Sequence, residues 1–286
     1  MLTVLESLEL STEYLKKKGI KSPRMNAELL LSHILKCGRM DLYLRFNQPL
    51  NNAETELYRN YILRRGNFEP YQYIVGEVEF YGLKFFVDNN VLIPRQETEI
   101  LVETVINDIP NGAEQKILDI GTGSGNIAIT LAKKLPQSKV ISVDVSAEAI
   151  KTAERNRKLH DVKKRVGFMN TDILTDNLEK YYGVFDVVVS NPPYVEIDEF
   201  DNLQKEITDF EPKIALTDFS DGLKFYQNII MKSKNWLAAK GRLYFELGEG
   251  QAKNVENLLL QNGFEEIKII KDYSDINRVI SAVKSA

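Results

Sequence analysis

The sequence predicts an α/β protein whose open, mostly parallel sheet follows a small N-terminal helical domain. From Lys116 onward, short β-branched runs alternate with segments of helical spacing, which is the pattern of a parallel sheet. Residues 1–68 carry apolar side chains at helical spacing alone. The stretch between Tyr71 and Val91 is rich in β-branched and aromatic residues, which favours a β-hairpin. The predicted domains are a helical domain over 1–68, a hairpin linker over 69–95 and an α/β domain over 96–286.

Composition and charge restrict the classes of function. The 286 residues are 43% hydrophobic and 27% charged, as in ordinary globular proteins, and the net charge of −4 argues against a surface that wraps duplex nucleic acid. Cys37 is the single cysteine, which excludes an intrachain disulfide and a cysteine-rich metal site. His33 and His160 lie far apart in the sequence, and we therefore predict no metal site.

The N-terminal residues M-L-T-V-L-E-S-L-E-L lack the basic start and the long apolar run of a secretory signal. No apolar stretch of the sequence approaches the roughly 20 residues of a membrane span. We therefore expect a cytoplasmic protein without a membrane partner.

The N-terminal region predicts three helices. Gly19 ends the first, and Ser22 with Pro23 begins the second, as a capping residue followed by a first-turn proline. A third helix is predicted over Ala53–Arg65. The region is either a purely structural bundle or a surface that docks a substrate, because the α/β domain does not require it to fold.

A hairpin with Gly76 and Gly82 at its turns leads into the loop L-I-P-R-Q-E-T-E. Thr98 or Gln96 is predicted to cap a helix over Glu99–Ile106. The loop has two interpretations that the sequence leaves open: a simple helix start, or a site rim that carries Arg95 and Glu97.

A nucleoside site is predicted where the strand K-I-L-D-I meets the glycine loop G-T-G-S-G, residues 121–125. Glycines let the backbone approach a ligand closely, and the helix that follows offers unpaired N–H groups. The next strand ends in Asp144, a position from which a carboxylate accepts hydrogen bonds from ribose hydroxyls. The three features together favour nucleoside binding more strongly than the glycine loop alone.

The ligand predicted for this site is S-adenosylmethionine. The loop reads G-x-G-x-G, and Asp119 adds a carboxylate at the strand end, which would repel a pyrophosphate but suit a cationic amino-acid group. After a third strand near Arg165–Met169, Asp172 either accepts a hydrogen bond from the adenine amino group or caps a turn.

The stretch V-V-V-S-N-P-P-Y predicts a fourth strand that ends in a stiff turn. Pro192 and Pro193 cannot donate to a sheet, and open α/β sheets bind ligands just beyond the carboxyl ends of their strands. The Asn191 side-chain oxygen and the Pro192 carbonyl could each accept one hydrogen of a planar –NH2 group. Tyr194 could lie against the face of that group.

The C-terminal segments complete the predicted sheet. A helix near Leu223–Ala239 precedes a fifth strand, G-R-L-Y-F-E, that ends in Glu246. A helix over Gln251–Gln261 follows, and the last two strands, near Glu266–Lys271 and Arg278–Val283, should pair antiparallel because no helix separates them.

Together these motifs resemble the HemK-type family of protein glutamine N5-methyltransferases that act on peptide chain release factors. The resemblance covers nearly the whole chain and is carried by L-I-P-R-x-E-T-E at 92–99, D-x-G-T-G-S-G at 119–125, N-P-P-Y at 191–194, E-P-x-x-A-L at 211–216, D-G-L-x-x-Y at 221–226 and F-E-x-G at 245–248. Gln96 replaces a proline that is common in the family, and T-D-F-S before Asp221 lacks expected glycines.

The resemblance implies a Rossmann-like class I S-adenosylmethionine-dependent methyltransferase domain and a release factor as the protein substrate, methylated on the glutamine of a Gly-Gly-Gln motif. It implies that the catalytic residues are Asn191, Pro192 and Tyr194 and that the glutamine is held by Asn191, Pro192, Pro193 and Tyr194. It implies a cofactor site formed by Gly121, Thr122, Gly123, Ser124, Gly125, Asp144, Asp172, Ile173 and Asn191.

Three alternatives stay open in the sequence. An N6-adenine methyltransferase uses the same –NH2 recognition after base flipping, but it should carry a basic groove or a recognition domain. A glutamine methyltransferase of a ribosomal protein differs only in the I-P-R-x-E-T loop. A silent S-adenosylmethionine-binding adaptor would not need an intact N-P-P-Y.

Overall fold

The computed structural model describes residues 1–110 and 112–285. Its described helices are α1 Val4–Lys17, α2 Pro23–Leu35, α3 Asn52–Gly66, α4 Tyr71–Val75, α5 Gln96–Asp108, α6 Asn126–Lys134, α7 Ala147–Leu159, α8 Lys205–Thr208, α9 Lys224–Trp236 and α10 Ala252–Gln261. Its described strands are β1 Glu77–Phe80, β2 Leu83–Phe86, β3 Lys116–Ile120, β4 Lys139–Asp144, β5 Val166–Asn170, β6 Phe185–Ser190, β7 Leu237–Glu246, β8 Phe264–Lys271 and β9 Asn277–Lys284. None of the helices described is long and apolar enough to cross a membrane.

The chain forms two compact units. The first combines Met1–Glu77 with the later segment Gln204–Phe210, and the second contains Val78–Leu203 and Glu211–Ala286. The first unit is therefore not continuous in the sequence, which the predicted boundary at residue 68 did not foresee.

The first unit is a helical bundle with its own apolar core. Leu8, Leu30 and Ile62, from α1, α2 and α3, pack in one buried cluster. α1 begins with a capping box, in which Thr3 and Glu6 exchange hydrogen bonds between side chain and backbone. The burial of one face of each helix supplies most of the stability of such short helices.

Arg65 connects the two sequence segments of the first unit. Its guanidinium donates to Asn26 Oδ1 at 2.7 Å and to Glu206 Oε2, in α8, at 2.6 Å. Arg65 is almost fully buried, so its charge is compensated by these partners and by the Glu69 carbonyl.

Two local predictions in this region are wrong. Ser22 precedes α2 in a left-handed conformation and makes no capping bond, and Asn26 instead donates to the carbonyls of Lys21 and Ser22. The predicted start of the hairpin at Tyr71 is α4, which Gly76 ends in a left-handed conformation. Aromatic and β-branched residues suited this helix because its Tyr73 and Ile74 are buried.

The second unit contains a seven-stranded sheet of order β5-β4-β3-β6-β7-β9-β8. The first five strands of that order are parallel, and β9 pairs antiparallel with both β7 and β8, which confirms the predicted arrangement of the last two strands. The strand order reverses between β3 and β6. Because ligands of open sheets bind at such a reversal, beyond the carboxyl ends of the strands, this point locates the site.

Helices cover both faces of the sheet. Along β6, Val187 and Val189 pack in the cluster that contains residues of α5 and α6, whereas Val188 packs with residues of α9 and α10. Successive side chains of a strand point to opposite faces, so a strand buried on both sides reads as a continuous apolar run. This explains the V-V-V run that leads to the site.

Candidate active site

A cavity of about 250 Å³ opens beyond the carboxyl ends of β3, β4 and β6. Predicted site residues that line it are Gly121, Gly123, Asp144, Asp172, Ile173, Asn191, Pro192 and Pro193. Residues outside the sequence-based set also line it, among them Asn90, Leu92, Ile214, Phe219 and Phe225. Apolar side chains in isolated loops gave no sequence signal, because only the fold brings them to one cavity.

The glycine loop is shaped by backbone contacts to the neighbouring strand. The N–H groups of Gly121 and Thr122 both donate to the Val143 carbonyl, at 2.9 and 3.0 Å. Gly121 has a φ of +86°, a conformation that residues with a Cβ rarely adopt, and it lies against the Asn191 carbonyl. The loop therefore presents backbone, rather than side chains, to the cavity.

Thr122, Ser124 and Gly125 lie behind that loop surface. The Thr122 hydroxyl pairs with Ser142 at 2.6 Å, and Asn156 donates to the Ser124 carbonyl at 2.8 Å. A Cβ on Gly125 would meet Ile129 at 3.0 Å, so this glycine permits close packing. These residues shape the loop, and a cofactor contact from them stays a prediction.

Asp144 lines the cavity from the end of β4. Its Oδ2 accepts from the Gly123 N–H and its Oδ1 from the Ser146 N–H, both at 2.8 Å. Burial raises the pKa of this carboxyl, and the two backbone hydrogen bonds oppose that rise. The carboxylate is thus fixed in orientation, with lone pairs left for hydroxyl donors.

Asp119 lies under the glycine loop instead of facing the cavity. It is fully buried, and its Oδ2 accepts from Ser142 at 2.6 Å while its Oδ1 has no hydrogen-bond partner among the described residues. Burial raises the pKa of Asp119 to about 7. The predicted repulsion of a pyrophosphate by this side chain therefore acts through the loop, without direct contact.

The loop that carries Asp172 lines the cavity next to Asp144. Asp172 Oδ1 accepts from the Leu174 N–H at 2.9 Å, so the carboxylate does cap a turn. Lys232, on α9, donates to the carbonyls of Ile173 and Leu174. Burial lowers the pKa of Lys232, which otherwise serves to hold this loop in place. Turn capping and adenine recognition are compatible, because Asp172 has a second oxygen.

Asn191 lines the cavity immediately after β6. Its Nδ2 donates to the Thr98 hydroxyl at 3.2 Å, and its Oδ1 accepts no hydrogen bond within the described residues. The Pro192 carbonyl likewise has no donor among them. Two acceptors of a –NH2 group thus follow one another at the turn, as the sequence predicts.

Tyr194 is directed away from the cavity lining. Its hydroxyl donates to Glu246 Oε1 at 3.3 Å, and its carbonyl accepts from Gln251. The ring lies against Gly248, where a Cβ would approach Tyr194 to 2.9 Å. Burial raises the pKa of the Tyr194 hydroxyl. The predicted contact of this ring with a substrate amide is not present among the described contacts and stays a prediction.

Thr98 has a different environment from the predicted helix cap. It is 2% exposed and donates to Glu246 Oε2 at 2.6 Å, and α5 begins after Arg95 without any side-chain cap. Glu246 is also buried, which raises its pKa to about 7 against the opposing hydrogen bond from Thr98. The sequence signal for this role was present: Thr98 shares the buried face of α5 with Leu101 and Val102.

Arg95 and Glu97 diverge in the structure. Arg95 pairs with Glu211, whose side chain is 2% exposed, whereas Glu97 is exposed. Glu211 Oε2 also accepts from the Ile93 N–H at 3.2 Å. Motif residues far apart in the sequence thus bind one another, Arg95 to Glu211 and Thr98 to Glu246.

The sheet and the residues around this cavity define a class I S-adenosylmethionine-dependent methyltransferase. Residues 6–76 match the family model "PrmC N-terminal domain", and residues 95–209 match the "Methyltransferase small domain". The release factor glutamine methyltransferase of Chlorobaculum tepidum is 40% identical over 98% of this chain and 97% of that protein, and that of Fusobacterium nucleatum is 40% identical over 98% and 79%. The chain belongs to the family of release factor glutamine methyltransferases.

A solved structure supports the fold alone. The methyltransferase of Pyrococcus furiosus covers 83% of this chain and 100% of its own, with a TM-score of 0.53 and 17% sequence identity.

Proposed function

We propose that the protein transfers the methyl group of S-adenosylmethionine to the side-chain amide nitrogen, N5, of a glutamine in peptide chain release factors. The observation that carries the proposal is the turn at Asn191 and Pro192, where two adjacent oxygens without a donor face the cofactor cavity. They match the two hydrogens of a primary amide. The name shared by the most similar relatives supports a release factor as the substrate.

The cavity fits the cofactor by its donor and acceptor set. The fixed Asp144 carboxylate can accept from two ribose hydroxyls, and Asp172 and Ile173 are placed to receive adenine through an acceptor and an apolar contact. The backbone of Gly121 and Gly123 leaves room for the amino-acid end. S-adenosylmethionine supplies a methyl group activated by its sulfonium.

The protein's part in the reaction is to orient a poor nucleophile. An amide nitrogen is weakly nucleophilic because its lone pair is delocalised into the carbonyl. Hydrogen bonds to Asn191 Oδ1 and the Pro192 carbonyl would fix the –NH2 and raise its electron density while it attacks the methyl carbon in line. The N–C bond forms as the S–C bond breaks, and the nitrogen then loses a proton to water, so no His or Cys base is needed.

The resemblance narrows the substrate to the glutamine of a Gly-Gly-Gln motif. Flanking glycines would let the backbone enter a narrow site at Pro192 and Pro193. Recognition of a protein at the ribosome places the enzyme in the cytoplasm, with no direct nucleic-acid or membrane partner. The N6-adenine alternative gains no support from the net charge of −4.

The test is mass spectrometry of a purified release factor after incubation with the enzyme and S-adenosylmethionine. The expected product carries one added methyl group on the motif glutamine, and a factor in which that glutamine is replaced by glutamate is the control. An unmodified factor, or methylation of an adenine-containing oligonucleotide under the same conditions, would overturn the proposal.

A further inference from the structure

A chain of buried hydrogen bonds runs from Glu246 through Thr98 to Asn191. Thr98 Oγ1 donates to Glu246 Oε2 at 2.6 Å and accepts from Asn191 Nδ2 at 3.2 Å. Thr98 is 2% exposed and Glu246 is 1% exposed, so water does not compete for these groups. Nothing in the reaction described above uses Thr98 or Glu246 directly.

The direction of the chain follows from the number of protons. A threonine hydroxyl has one proton, and an ionised carboxylate can only accept. Because Thr98 gives its proton to Glu246, it can only accept from Asn191. The Asn191 amide must therefore turn its –NH2 toward Thr98 and its oxygen the other way.

An amide has two nearly isosteric orientations, related by exchange of its oxygen and its –NH2. With Oδ1 toward the substrate, Asn191 accepts from the amide of an incoming glutamine. In the opposite orientation two –NH2 groups would face one another, and neither could accept. The orientation of Asn191 thus decides whether the site can bind its substrate.

We propose that Thr98, held by Glu246, is a positioning residue that fixes the acceptor oxygen of Asn191 toward the substrate amide. The inference rests on the proposed function for its kinetic consequence. Its structural content, the orientation of one side chain, does not depend on which molecule is methylated.

The kinetic test compares Thr98→Val, which keeps the shape and removes the hydroxyl, with Thr98→Ser, which keeps the hydroxyl. Thr98→Val should lower kcat on a release factor roughly 10- to 100-fold, as expected for loss of an orienting hydrogen bond, with little change in KM for the cofactor. Thr98→Ser should recover most of the rate. Thr104→Val is the matched control, because Thr104 lies on the same helix and bonds only the Ile100 carbonyl.

A second measurement is independent of activity. The side-chain amide signal of Asn191 in a ¹H–¹⁵N spectrum can be assigned by its loss in Asn191→Asp. In Thr98→Val this signal should shift and its protons should exchange faster with solvent, whereas Thr104→Val should leave it unchanged.

The outcomes separate this inference from the proposed function. A wild-type enzyme that does not methylate a release factor contradicts the proposed function, and the amide signal then still decides the inference. An unchanged amide signal in Thr98→Val would overturn the inference. Equal loss of rate in Thr98→Val and Thr98→Ser, or a loss of S-adenosylhomocysteine affinity as large as the loss of rate, would overturn it too.

Discussion

Arg95 forms an ion pair with Glu211 across 116 positions of the sequence. The Glu211 side chain is 2% exposed and that of Arg95 is 32% exposed, so the carboxylate depends on the guanidinium for most of its compensation. The pair ties the loop before α5 to the segment that follows the N-P-P-Y turn. These two loops therefore form one structural unit at the cavity.

Arg95→Ala should destabilise the fold by roughly 1–3 kcal/mol. The range is lower than for a fully buried pair because Arg95 is partly solvated. Denaturant unfolding followed by circular dichroism measures the change. Lys151→Ala is the control, since its pair with Glu148 is exposed on both sides and should contribute almost nothing. Equal stability of the two variants would show that Glu211 does not need its partner.

Asn191→Ala should abolish turnover and leave cofactor binding largely intact. Its oxygen is assigned to the substrate, and the contacts that shape the glycine loop do not involve its side chain. Calorimetric titration with S-adenosylhomocysteine and single-turnover methylation give the two quantities. If affinity and rate fell together, Asn191 would instead belong to the cofactor site.

Asp144→Ala should weaken cofactor binding by roughly 1.5–3 kcal/mol, the range for hydrogen bonds to a charged group. The same substitution frees the N–H groups of Gly123 and Ser146, so part of the loss comes from the loop. Titration calorimetry with S-adenosylhomocysteine measures it. Asp186→Ala is a suitable control, because Asp186 also accepts a backbone N–H, from Lys116 at the start of β3. An unchanged dissociation constant in Asp144→Ala would remove Asp144 from the site.

The buried Asp119 should make stability fall as the pH rises. Its pKa of about 7 in the folded protein lies above its ordinary value of 3.8, so between these values the folded state binds more protons than the unfolded state. The cost of its buried charge is absent below about pH 4 and complete above about pH 7. Asp119→Asn should therefore gain roughly 1–3 kcal/mol relative to wild type between pH 5 and pH 8. Urea unfolding at both pH values tests this, and a pH-independent difference would contradict it.

A short glutamine peptide should be methylated with a much lower specificity constant than a folded release factor. The N-terminal helical unit is not required by the α/β sheet, and binding energy gathered at a remote surface can orient the reacting group. Steady-state kinetics with both substrates and the full-length enzyme provide the comparison. Equal specificity constants would exclude a docking contribution.

Much of the fold could be predicted from the sequence because its strands are buried on both faces. Continuous runs such as Val187–Val189 cannot be surface strands, and the punctuation by Gly and Pro gives their order along the chain. The cavity residues Gly121, Asp144 and Asn191 were predictable for the same reason, since each directly follows or ends such a strand.

The parts that could not be predicted depend on contacts distant in the sequence. A threonine near a helix start looks the same whether it caps the helix or, like Thr98, donates inward to Glu246. Tyr194 has no sequence feature that separates a ring in the cavity from a ring packed on Gly248. The short helix Tyr71–Val75 was predicted as strand because tertiary burial overrode its β-prone composition.

The contact between Arg65 and Glu206 bears on how the protein is made. The two residues are separated by 141 positions, and at bacterial or eukaryotic rates of synthesis of about 5–20 residues per second Glu206 is added roughly 7–30 s after Arg65. Throughout that interval the nascent helical unit holds a guanidinium whose carboxylate partner does not yet exist. The N-terminal unit consequently cannot complete its native structure on the ribosome until much of the catalytic unit has been synthesised.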